Sequence, residues 1–91
     1  LILASPALAA SNAQVCKTAA ITQKGRVSPA QCSCMLKGAD KYLRKSDKAY
    51  LIDYWCGLRN GKPHIYLARA YPTGKNKPLI KYNAFTAGLC N

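Results

Sequence analysis

The chain has 91 residues, with 14 Lys and Arg against three Asp and no Glu, for a formal net charge of +11. That length holds one domain with a marginal hydrophobic core, and the charge exceeds what solubility alone asks of a small protein. The ten-residue apolar start is far too short for a membrane span, so composition points to a small basic domain with an anionic partner.

Residues 1–10 run Leu1-Ile2-Leu3-Ala4-Ser5-Pro6-Ala7-Leu8-Ala9-Ala10. An uncharged apolar stretch, a helix-breaking proline and the small-x-small triplet Ala7-Leu8-Ala9 are the marks of the end of a secretory signal. Cleavage is expected after Ala9 or Ala10, leaving residues 11–91 as a single cystine-linked domain in the periplasm or outside the cell. In that oxidising setting Cys16, Cys32, Cys34, Cys56 and Cys90 are expected to form two disulfides. The odd cysteine is then free, buried or bridged to a second chain. Cys32-x-Cys34 lacks the usual zinc-knuckle spacing and His64 has no second histidine near it, so no metal site is read here. No haem attachment motif or other cofactor signature is present.

A short helix is expected over 11–23, capped by Ser11 or Asn12, with Val15, Ala19 and Ile21 as its apolar positions. Ser28-Pro29-Ala30-Gln31 opens a clearer one: Ser28 caps, Pro29 takes the first helical position and Gln31 completes a capping box. Cys32, Met35, Leu36, Ala39, Tyr42 and Leu43 then recur at helical spacing. Cys34 lies on the opposite face from Cys32, so the two sulfurs look toward different neighbours. Asp40 is spaced to pair with Arg44.

Ser46-Asp47 restarts a helix carrying Tyr50, Leu51, Tyr54, Trp55 and Leu58 on one side and Ala49, Ile52 and Cys56 on the other. Apolar on two sides, it reads as the central helix, ending at Asn60-Gly61. The expected core is Met35, Leu36, Leu43, Leu51, Tyr54, Trp55 and Leu58. The segments 64–71 and 79–85 are rich in strand formers and flank a turn-rich connector bracketed by Pro72 and Pro78, which predicts a β-hairpin. The fold class expected is therefore α+β, about three helices followed by that hairpin. The alternative is all-α, because Pro63 and Pro78 can each open a helix. For connectivity, the expectation is Cys16 with one of Cys32 and Cys34, and Cys56 with Cys90.

The signal-like start and the Ser28–Cys34 helix opening with its two cysteines give the chain a plan that resembles small disulfide-linked periplasmic proteins of proteobacteria, some of which are immunity or inhibitor proteins. The resemblance transfers no functional residue.

Function is read from charge. After Asp53 there is no further carboxylate, while Arg59, Lys62, Arg69, Lys75, Lys77 and Lys81 follow. These six predict a basic face that docks on an acidic protein or an anionic component of the cell envelope. No catalytic residues are assigned: Asp40, Asp47 and Asp53 read as helix-surface carboxylates beside lysines. The rival reading is a small nuclease-like toxin acting on RNA, with His64, Tyr66, Arg69 and Lys81 as its candidate group. Tyr66, Tyr71 and Tyr82 among basic residues also suit a nucleic-acid platform. A third reading, a membrane-active cationic protein, is disfavoured because the basic residues are spread over several elements.

Overall fold

The computed structural model describes residues 11–90, and the signal-like segment 1–10 lies outside the described residues. Five helices follow one another: α1 (Asn12–Thr22), α2 (Pro29–Tyr42), α3 (Lys45–Trp55), α4 (Pro63–Ala70) and α5 (Lys77–Leu89). The domain is all-α among the described residues. The α+β expectation is thereby corrected: the segments assigned to a hairpin are α4 and α5. A proline stands in the first turn of each, where its missing N–H costs nothing and its fixed φ suits the helix.

The first two helices start as their sequences dictate. Ser11 and Ser28 each accept the N–H of the residue three ahead, Gln14 and Gln31, whose side chains return to the serine N–H. α3 begins slightly earlier than expected, with Arg44 at the cap position and Asp47 in the first turn. It also ends earlier. Gly57, at φ 78°, sends its N–H to Tyr54 O, and Leu58 sends its own to Asp53 O. This is a Schellman ending, for which glycine carries no Cβ penalty. Leu58 therefore leaves the helix and is 77% exposed, which removes it from the predicted core. Ile21 is likewise exposed rather than buried.

α2, not α3, is the hub: it packs against α1, α3 and α5, while α3 also touches α1 and α4. Its buried row of Cys32, Leu36 and Ala39 meets Ala19, Leu51, Trp55, Leu67, Tyr71 and Tyr82, with Met35, Tyr42, Leu43 and Tyr54 packed against this core. Two disulfides fasten the hub, Cys16–Cys32 to α1 and Cys34–Cys90 to the end of α5. They leave α2 from opposite faces, as the spacing of the two cysteines requires. Cys90 therefore pairs with Cys34 and not with Cys56. Cys56 is the free thiol, half-buried at the end of α3, where its Sγ lies 3.9 Å from Val15 O.

Candidate functional site

The groundwork of the site is Asp47, a surface residue by expectation and fully buried in the fold. One carboxylate oxygen accepts from the Arg44 backbone N–H at 3.3 Å, from Arg44 Nε at 3.0 Å and from the Tyr71 hydroxyl. The other accepts from Arg44 Nη2 at 3.1 Å and from the Tyr66 hydroxyl at 2.7 Å. Burial pushes the Asp47 carboxyl up, but the hydrogen bonds from Arg44, Tyr71 and Tyr66 outweigh it and hold the group at about 2. Tyr66 is raised by its bond to Asp47 and then by burial; Tyr71 is raised by burial and then by the same carboxylate. An ionised carboxylate with this many donors is a structural acceptor, with no proton to exchange near neutral pH. Arg44 also covers the Tyr71 ring, 5.2 Å from its centroid. The expected Asp40–Arg44 pair is replaced: Asp40 bonds instead to Lys48 at 2.7 Å and to Asn12 at 3.2 Å.

Held by Asp47, the Tyr66 ring stacks on Tyr50 of α3, with centroids 3.9 Å apart and planes 6° apart. Arg59 lies over the Tyr50 ring at 4.8 Å. The Tyr50 hydroxyl sits so close to Gly61 that any Cβ there would meet it at 2.5 Å. Beside this stack runs a groove of about 300 Å³ lined by Tyr50, Gly61, Lys62, Ile65, Tyr66 and Arg69. No carboxylate lines it. Among the described residues neither Arg59, Lys62 nor Arg69 has an acidic partner, because the ion pairs are Arg44–Asp47 and Lys48–Asp40. The arrangement can attract and seat an anionic group against flat aromatic surface.

Two of the six predicted basic residues, Lys62 and Arg69, thus line one groove, and a third, Arg59, lies over the ring of its Tyr50 wall. Lys75 on the connector and Lys77 and Lys81 on α5 are exposed, but none of them lines it. The four residues of the nuclease reading do not converge. His64 lines a different cavity, with Trp55 and Leu67, while Tyr66 and Arg69 line the groove. Tyr66 is in addition committed to Asp47. Among the described residues no group of three metal-ligating side chains comes together, and no helix is long and apolar enough to cross a membrane.

No family model, curated protein or solved structure matches this chain. The reading of the site rests on its geometry.

Two of the residues that matter here escaped the sequence. Tyr50 was expected in an apolar core stripe, and Asp47 among the solvated helix charges. The available signal was the Arg44-x-x-Asp47 spacing, which lets a first-turn carboxylate reach back to the cap residue.

Proposed function

We propose that the chain is an exported cationic binding protein that docks on an acidic protein partner, in the manner of an inhibitor or immunity protein, and that the groove beside Tyr50 and Tyr66 is the centre of its contact. The observation that carries this reading is a groove without a carboxylate, lined by Lys62 and Arg69, with Arg59 over the ring of its Tyr50 wall. Arginine and tyrosine are the side chains that most often dominate interface energies, because each offers a flat, rigid surface with polar reach. The rest of the +11 charge steers approach and acts mainly on the association rate.

The test is binding to an immobilised acidic polypeptide, such as poly-glutamate, at two salt concentrations. Retention should fall steeply with salt, since exposed charges are screened beyond about 8 Å at physiological ionic strength. The double variant Arg59→Ser/Arg69→Ser should lose about tenfold or more in affinity, through faster dissociation. Lys75→Glu/Lys77→Glu, outside the groove, should chiefly slow association. Salt-independent retention, or an arginine double variant that binds like the parent, would reduce the charge to a solubility feature.

The second reading, a basic toxin acting on RNA, draws on one specific observation: the Tyr50–Tyr66 stack beside cations is the kind of surface on which bases stack. Incubating the purified protein with RNA separates the two. Turnover of RNA favours the toxin, and retention of the acidic polypeptide without turnover favours the binding protein.

A further inference from the structure

On another side of α4 lies a second cavity, of about 360 Å³, whose lining includes Trp55, His64, Leu67, Leu79, Tyr82 and Asn83. Its walls are mostly apolar, and its volume is in the range that receives small organic ligands. No Asp lines it. Two features of the lining offer a free donor. Tyr82 is only 4% exposed, yet its hydroxyl has no hydrogen-bond partner among the described residues. That hydroxyl is not sealed in, because no fully buried side-chain N or O lacks a partner, and among the described cavities this is the one Tyr82 lines. The hydroxyl therefore keeps a free donor that an acceptor seated in the cavity can take in place of water. The second feature is the start of α4. No side chain caps it, and the His64 amide has no acceptor among the described residues. The positive end of the helix dipole thus stands at the cavity rim.

We propose that this cavity binds a small carboxylate with an apolar body, an aliphatic or aromatic acid, whose carboxylate accepts from donors at Tyr82 and the His64 turn while its apolar body packs on Trp55, Leu67 and Leu79. Charge complementarity selects the acid over its neutral analogue: the lining holds donors and no carboxylate, and the whole molecule carries +11. This site is independent of the cationic groove, with which it shares no lining residue.

The only tryptophan of the chain, Trp55, lines the cavity and reports on it. Octanoate added to the purified full chain should change Trp55 fluorescence saturably, and octanol should bind at least about tenfold more weakly, as expected when a charged acceptor loses its donors. Tyr82→Phe should weaken octanoate binding by about the same factor. Thr86→Phe, which fills the cavity from a half-exposed position, should abolish it while the circular dichroism spectrum is kept. Arg59→Ser/Arg69→Ser should bind octanoate like the parent. The proposal is overturned if octanoate gives no saturable change, if octanol binds as tightly, if Tyr82→Phe binds like the parent, or if the arginine double variant loses binding, which would put the carboxylate on the groove instead.

Discussion

Asp47 is where a single atom group decides most. Its folded value of about 2 lies below the ordinary 3.8, so its contribution to stability is whole above the unfolded value and is lost as pH falls through about 2. A shift of this size corresponds to about 2 kcal/mol. We expect the denaturant midpoint to fall between about pH 5 and pH 1, and the fall to be much shallower in Asp47→Asn. The same variant should cost about 2–4 kcal/mol at neutral pH, because Arg44, Tyr66 and Tyr71 lose a charged acceptor. Urea titration at a series of pH values measures both, and identical pH profiles for parent and variant would remove Asp47 from this role. The residue-level reading of the sequence holds at Ser28, Pro29, Gln31 and Leu36, whose positions are set by local spacing, but not for the i,i+4 pair Asp40–Arg44, because Arg44 turns to Asp47 and Asp40 to Lys48. It failed at Asp47, whose burial depends on tyrosines 19 and 24 residues away, a distance no local pattern spans.

At the scale of elements, the C-terminal third separates what periodicity reveals from what residue preference suggests. Residues 64–71 and 79–85 carry tyrosines with Ile65, Ile80 and Phe85, types that suit strands. The buried positions are Leu67 and Tyr71, four apart, in the first segment and Tyr82 in the second, while Ile65, two before Leu67, is 40% exposed. That is the spacing of a helix face and not the alternation of a strand, and Pro63 and Pro78 then act as helix starters. A far-UV dichroism spectrum should show helix without a sheet component. The α2–α5 packing gives a sharper test. A Cβ on Gly38 would stand 2.7 Å from Phe85 Cδ1, and the Phe85 ring is held edge-on by Tyr42 at 6.0 Å. Gly38→Ala should therefore destabilise by about 1–3 kcal/mol through overpacking. Phe85→Leu in the same chain should recover part of that loss; a Gly38→Ala protein with unchanged melting temperature would show that the two helices do not approach so closely.

For the molecule as a whole, the core is small and the two cross-links are large contributors. Trp55 is 8% exposed among α2, α3 and α4 residues, and Trp55→Ala should cost about 3–5 kcal/mol, a large part of the stability of a domain this size. Native protein should offer one alkylatable thiol, Cys56, and five after reduction and unfolding, as read by intact mass. Cys56 should react slowly, since burial and the nearby Asp53 both push its thiol up and the thiolate is the reactive form. Labelling of any other cysteine in the native state would contradict the cross-links. At this scale the sequence carried the number of disulfides and the divergence of Cys32 and Cys34. The choice between Cys34 and Cys56 as partner of Cys90 needed the position of α5 against α2, which exists only once the chain has folded.

The two cross-links differ in span, 16 residues for Cys16–Cys32 and 56 for Cys34–Cys90. Closing the longer loop costs about 1 kcal/mol more in chain entropy, which amounts to several-fold in encounter frequency. The shorter one also joins consecutive helices that each carry their own start signal, so it can form before α5 has found its place. Oxidative refolding should then pass through a species with Cys16–Cys32 closed and Cys34, Cys56 and Cys90 still reduced. In that species two thiols compete for Cys90, and the helical turn between Cys32 and Cys34 decides the contest, because it aims Cys34 away from α1 and toward the incoming α5.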